Sequence, residues 1–211
     1  MINSFSINNF GVSDYRSLII NTLFTVCLIL LIVKLGRVEY YGLVRVKNSK
    51  KFLYFIPLFV IISVNLWSGF NINYNKNQII FYMLNMVNVG FIEEIIFRGF
   101  LFQMMSKDNI HQAILVTSIT FGIGHILNLL NGAEFIPTII QIIYAVSTGY
   151  MFAIILVKGN SLWPCIITHS VVNSLSIFCI HNTVSTYIAP IILTIVPILY
   201  SIYLNKTIKE K

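Results

Sequence analysis

Two glutamates, an arginine, two histidines and an asparagine stand inside stretches that are otherwise almost wholly apolar. They are Glu93, Glu94 and Arg98 in Gly90-Phe-Ile-Glu-Glu-Ile-Ile-Phe-Arg-Gly99, His125 in Phe121-Gly-Ile-Gly-His125, and His169 and Asn173 in Thr168-His-Ser-Val-Val-Asn173. Helical spacing gives each group a job. Glu94 and Arg98 are four apart with the acid N-terminal to the base, the better orientation for an ion pair on one face. Glu93 is rotated by about 100° from Glu94, so one carboxylate is neutralised while the other faces a different neighbour. His169 and Asn173 share a face, as do Phe121 and His125, and Asn128 lies one turn beyond His125.

These residue types can hydrolyse an amide. A buried carboxylate removes a proton from a water that a histidine positions, and a second histidine with an asparagine supplies donors for a developing oxyanion. Glu93 and His125 fit the first task, His169 and Asn173 the second, with Glu94 and Arg98 as the structural ion pair. The same Glu93, His125 and His169 could instead hold Zn²⁺ as a His₂Glu site with water in the open position. Both versions stay open, with a slight preference for the metal-free glutamate mechanism. The i+4 partner of His169 is Asn173, a weak zinc ligand and a good neutral donor. Other intramembrane designs are absent: there is no HExxH, no GxSG, and the only aspartates, Asp14 and Asp108, lie outside any GxGD.

The elements that must position these groups are membrane helices. Of the 211 residues 57% are hydrophobic and only 10% charged, against about 25% charged in a soluble domain. The composition excludes soluble and disordered classes and predicts an all-α polytopic transmembrane helical bundle forming one domain over 1–211. About 20 apolar residues cross a bilayer core. On that ruler about seven spans are expected, at 17–35, 52–70, 79–105, 111–130, 136–157, 161–181 and 184–204. A charge at the bilayer centre costs about 2.5–3.5 kcal/mol on insertion scales, which makes the intramembrane ionisable groups functional candidates. Counted at roughly 1.5 Å per residue from the assumed cytoplasmic ends, Glu93, His125 and Asn173 sit roughly 18–21 Å deep and His169 roughly 12 Å. Comparable depths on three helices predict a polar intramembrane chamber.

The net charge of +7 is a topology signal. Lys34, Arg37, Arg45, Lys47, Lys50 and Lys51 cluster after the first span. Alternation adds Lys107, Lys158, Lys206, Lys209 and Lys211 to the same side, leaving Arg16 and Lys76 opposite and Arg98 within a span. By the positive-inside rule the basic side is cytoplasmic, which predicts a cell-membrane protein with its N-terminus outside and C-terminus inside. The expected partners are the lipid bilayer and a peptide or membrane-protein substrate, not nucleic acid. The first span reads as a retained helix rather than a cleaved signal, since no A-x-A site follows it. Cys27, Cys165 and Cys179 have neither disulfide nor zinc-ribbon spacing. Ala145, Gly149 and Ala153 form a small-residue ridge for close helix packing, and Gly122 and Gly124 are expected to give a neighbouring backbone room beside His125. His111 and His181 read as incidental.

Glu93-Glu94-xxx-Arg98, Phe121-xxx-His125 and His169-xxx-Asn173, in that order, resemble the three signature motifs of the CPBP intramembrane proteases, the group of CAAX prenyl endopeptidases and bacteriocin-processing or immunity proteins. Ser147-Thr-Gly-Tyr and Asn160-Ser-Leu-Trp-Pro-Cys-Ile-Ile-Thr-His169 resemble the segment before the third motif. The resemblance covers about 80–180, which makes that stretch the motif-bearing core. It implies an intramembrane endopeptidase with a water-filled chamber open towards the cytoplasmic leaflet. Glu93 and His125 would activate water, His169 and Asn173 would stabilise the oxyanion, and Glu94–Arg98 would brace the site. The family is commonly called a metalloprotease, and a metal-free glutamate mechanism has also been argued for it. The abundance of Ile, Asn, Lys, Phe and Tyr suggests AT-rich codons and a bacterial setting, in which a peptide pheromone, a bacteriocin or self-immunity is the expected context. A non-catalytic immunity or regulatory scaffold is the main alternative. A proton-coupled transporter is the second, disfavoured because no internal repeat or broken helix pair is evident.

Overall fold

The computed structural model describes residues 11–46 and 56–207. Among them the chain folds into helices at all seven expected places: α1 (Tyr15–Lys34), α2 (Ile56–Ser63, extended by a 3₁₀ turn Val64–Leu66), α3 (Lys76–Glu94), α4 (Phe102–Met105), α5 (Ile110–Ile123), α6 (Leu127–Leu130), α7 (Phe135–Gly159), α8 (Trp163–Leu175) and α9 (Ala189–Thr207). A π-helical stretch, Ile95–Leu101, joins α3 to α4, and a 3₁₀ turn, Gly124–Ile126, joins α5 to α6. Among the described residues five continuous helical segments are long and apolar enough to cross a membrane: Tyr15–Lys34, Lys76–Met105, Ile110–Leu130, Phe135–Gly159 and Val184–Lys206. The expected second and sixth spans are shorter, because α2 gives way to a turn before Gly69 and α8 ends in a 3₁₀ turn at Ser176–Phe178. The start of the second span at 52–55, and Lys47, Lys50, Lys51, Lys209 and Lys211, lie outside the described residues.

Local chemistry sets the boundaries. Asp14 caps α1 by accepting from the Arg16 backbone N–H, Asn75 and Gln78 form a reciprocal capping box on α3, and Asn109 accepts from the Gln112 N–H at the start of α5. Each satisfies donors that the first helical turn leaves unpaired. α7 stops at Asn160, whose left-handed backbone (φ 51°) suits an asparagine better than most side chains. Pro164 opens α8, where its missing N–H costs no helical bond.

The core lies where α3, α7, α8 and α9 meet, around Ile61, Ile95, Met151, Phe152, Ile155, Cys165 and Leu204. α1 packs against α3, where Asn21 donates to Asn85 at 2.6 Å, Asn85 donates to the Val12 carbonyl at 3.0 Å, and Asn88 donates to Thr22 at 2.9 Å. These amides extend the sequence's short list of intramembrane polar groups. In lipid they hold two helices together where apolar contact alone gives no preference over the acyl chains.

The two ends of the bundle differ in charge. At one end the 35–46 loop is pinned to the α4 and α7–α8 turns: Tyr40 donates to the Gln103 carbonyl at 3.0 Å, Ser161 to the Val44 carbonyl at 2.7 Å, and the Leu162 N–H to the Gly42 carbonyl at 2.8 Å. Arg37 and Lys107 both lie against the Tyr40 ring there. At the opposite end Asn182 donates to the Ser68 carbonyl at 2.8 Å, and Phe70 stacks on Phe178 with centroids 4.5 Å apart. The alternation of loops on which the charge reading depends is therefore a property of the fold.

Candidate functional site

α3, the α5–α6 junction, α7 and α8 surround a polar centre. Close crossings bring them there. Gly90 of α3 faces Ser170 of α8, and a Cβ at 90 would stand 2.8 Å from the Ser170 nitrogen and 2.9 Å from its Cα. Gly122 faces α7, where a Cβ would stand 2.9 Å from the Ile142 carbonyl and from the Val146 nitrogen. So Gly122 gives a neighbouring backbone its room, as expected. Gly124 does not, because nothing lies within 4 Å of its would-be Cβ. Its place is in the 3₁₀ turn that re-aims the chain at His125.

Glu94 and Arg98 form the expected ion pair, with Nη1 of Arg98 3.0 Å from Oε1 of Glu94 and both side chains fully buried. The helix between them is π-helical rather than regular, a departure that one-residue bulges in helices make at functional sites. The guanidinium is held as a cation over the Phe121 ring, 4.3 Å from its centroid, with Phe97 and Phe152 at 6.0 and 5.7 Å. Gly149 leaves the space it fills: a Cβ there would lie 2.9 Å from Nη2 of Arg98. The small-residue ridge on α7 thus does more than admit a helix. It seats a charge.

His169 stands between the two glutamates. Its Nδ1 is 2.9 Å from Oε1 of Glu94, the oxygen that also takes Arg98, and its Nε2 is 3.6 Å from Oε2 of Glu93. Nothing in sequence spacing pointed to the Glu94–His169 bond, since it depends on the rotation of α3 against α8. The depth gap estimated for His169 closes in the folded chain. His125 joins from the α5–α6 junction, and the Phe121 ring meets His125 and His169 edge-on with centroids 5.6 Å away in both cases.

Glu93, His125 and Asn173 line one cavity of about 520 Å³, and His125, His169 and Asn173 line a second of about 220 Å³. The two share Phe121, His125, Gln141, Asn173 and Ser176, so the polar centre is the septum between a large and a small chamber. Gln141 accepts from Asn128 at 2.8 Å across this septum, and Tyr82 pairs with Ser176 at 2.7 Å. Gln141, Tyr82 and Ser176 were not singled out in the sequence. Gln141 carried the available signal, an amide in an apolar span. His111 and His181 line neither cavity.

For Zn²⁺ the fit is poor. Among the described residues no three His, Cys, Asp or Glu side chains gather in a set that could hold a metal ion.

The large chamber extends towards Val12, before α1, and Asn131, after α6. Both lie at the end away from the basic loops, and among the described residues none from 34–46, 103–112 or 156–163 lines it. The lining residues thus lie in the half of the bundle away from the basic loops.

Residues 75–175 match the family model described as type II CAAX prenyl endopeptidase Rce1-like, a stretch that contains all three motifs. No curated protein and no solved structure gives a match.

Proposed function

We propose that this chain, whose residues 75–175 match the Rce1-like type II CAAX prenyl endopeptidase family model, hydrolyses a peptide bond of a membrane-associated peptide using water activated by Glu93 and His125. The observation that carries the reading is the meeting of Glu93, His125 and Asn173 on one chamber wall, with Nε2 of His169 3.6 Å from Glu93. A water between Glu93 and His125 gives its proton to the Glu93 carboxylate as its oxygen bonds to the scissile carbonyl carbon. The carbonyl oxygen becomes an oxyanion, met by the Asn173 amide and by the Nε2–H of His169 in its doubly protonated form, whose Nδ1–H is held by Glu94. The C–N bond then breaks, and Glu93 returns the proton to the departing amine. The products are a carboxylic acid and an amine, and the glutamate ends as it began. Glu94 and Arg98 hold His169 in register and touch no reacting atom.

The septum supports this because it joins a hydrogen-bonding wall to a chamber large enough for an extended peptide segment. Processing of, or immunity against, a small bacterial peptide is the biological context we favour, on the AT-rich residue usage. The orientation that goes with it has the N-terminus outside and the basic 35–46 loop in the cytoplasm.

The test is a comparison of wild type with Glu93→Gln in proteoliposomes against a fluorogenic peptide library. Turnover by the wild type and its loss, at unchanged thermal stability, in Glu93→Gln is the expected result. A folded wild type that cleaves no peptide would overturn the enzyme reading in favour of a scaffold.

A further inference from the structure

We infer that the chamber is served from the extracytoplasmic leaflet, so that the substrate is an exported peptide carrying an uncharged, largely apolar segment. The inference rests on the endopeptidase reading only for the word substrate. The direction of access stands on geometry and charge alone.

Two facts fix the direction. The 35–46 loop, the α4 turn and the α7–α8 turn are tied together by the Tyr40–Gln103, Ser161–Val44 and Leu162–Gly42 hydrogen bonds. That end carries Lys34, Arg37, Arg45, Lys107 and Lys158, and α9 brings Lys206 to it. Basic residues this concentrated near helix ends set orientation, so this end is cytoplasmic. The large chamber lies in the other half. It runs from Phe97 and Glu93 past Met86 and Asn128 to Asn131, in the turn that α6 reaches after crossing away from the basic end. α3 and α5 are joined at the basic end by α4 and a short turn. Towards the far end the chamber lies between them, with Asn21 and Phe24 of α1 on its flank.

The wall chemistry names the class of occupant. Among the described lining residues Glu93 is the one carboxylate and none is Lys or Arg; beside Glu93 and His125 the polar wall is made of neutral groups, from Asn128 and Gln141 to Tyr82 and Ser176. Neutral amides and hydroxyls pair with peptide N–H and C=O groups and give a bound carboxylate no cation, while the facing wall of Met86, Val89 and Ile92 suits apolar side chains. A segment anchored in the outer leaflet meets this wall without taking its charged ends through the bilayer.

Accessibility labelling decides the direction without any turnover. In a cysteine-free background, Ala133→Cys reports the far end, Glu39→Cys the basic end, and Met86→Cys and Asn128→Cys the chamber. In intact cells a small, charged, membrane-impermeant thiol reagent should modify Cys at 133, 86 and 128, and reach 39 only after permeabilisation. Asn128→Cys keeps the test alive should Met86→Cys not fold. Chamber cysteines that react only from the cytoplasmic face, or a Glu39→Cys that reacts in intact cells, would overturn the inference. In proteoliposomes, cleavage of an external peptide bearing an impermeant charged tail should scale with the fraction of molecules whose residue 133 labels from outside. Scaling with the opposite fraction would overturn it. Outward labelling of 86 and 128 with no cleavage in either orientation would uphold the direction of access and sink the endopeptidase reading instead.

Discussion

His169 and Glu94 share a 2.9 Å hydrogen bond, and the carboxylate oxygen that accepts it also receives Arg98 at 3.0 Å. One buried oxygen thus ties a signature motif on α3 to a signature motif on α8. An ionised carboxylate can only accept, so Nδ1 of His169 carries the proton in this bond, and Nε2 is the atom presented to Glu93. The paired acids of the first motif are not duplicates. Glu94 builds the site and Glu93 faces the chamber.

Removing Arg98 should therefore damage the fold and the site together. Arg98→Ala leaves the Glu94 carboxylate buried without its cation, a defect of about 3–5 kcal/mol in comparable buried pairs. Glu94→Gln strips the cation's partner and loosens His169. Both variants should unfold at lower temperature in detergent than wild type, whereas Glu93→Gln should unfold with it. Normal stability of Glu94→Gln beside a destabilised Glu93→Gln would reverse the two roles.

A lysine should not replace Arg98. The planar guanidinium lies 4.3 Å from the Phe121 centroid while one nitrogen reaches Glu94, and an ammonium cannot make both contacts in that geometry. Gly149→Ala attacks the same seat from α7, because its Cβ would come within 2.9 Å of Nη2 and 3.2 Å of the Phe121 ring. Overpacking of this kind costs about 1–3 kcal/mol. Arg98→Lys and Gly149→Ala should each lower the unfolding temperature, and the double variant should cost less than the sum of the two. Simple additivity would show that the two residues do not share a site.

How much of this was legible beforehand depends on the kind of signal. The spans were legible because lipid demands long apolar helices, and Glu94–Arg98 was legible because an i, i+4 pair is set within one helix. The Glu94–His169 bond and the Gln141–Asn128 contact were not, since they depend on how separate helices rotate and slide against one another. The π-helical Ile95–Leu101 stretch has no compositional mark, and the sequence read it as regular helix. The direction of the chamber was hidden for another reason. Charge says which end of a helix is cytoplasmic, but only the splay of α3 from α5 says at which end the space lies. Amides such as Asn21, Asn85 and Gln141 were visible and passed over, because a neutral polar residue in an apolar span draws less notice than a charge.

Gly90 and Gly124 make an internal comparison within the motif-bearing stretch. Gly90→Ala pushes a methyl group into the Ser170 backbone, and neither helix can yield without moving Glu93 or His169. Gly124→Ala meets open space. We expect Gly90→Ala to lose stability by about 1–3 kcal/mol and most peptide turnover. Gly124→Ala should stay within about 0.5 kcal/mol of wild type, as substitutions away from packed features do. Equal tolerance at both positions, in unfolding and turnover assays run side by side, would contradict the close crossing of α3 and α8.

The last expectation concerns zinc. A His₂Glu centre needs three donors converging on one point with metal–ligand distances near 2.0–2.2 Å. Among the described residues no three His, Cys, Asp or Glu side chains gather into such a set. Protein purified without added metal should therefore contain zinc well short of one atom per chain by elemental analysis, and unfolding temperature and turnover should change little on dialysis against a strong chelator. Zinc at one atom per chain, lost in His125→Ala and in His169→Ala alike with activity falling in step, would mean that the helices close around a metal and that the glutamate acts beside it.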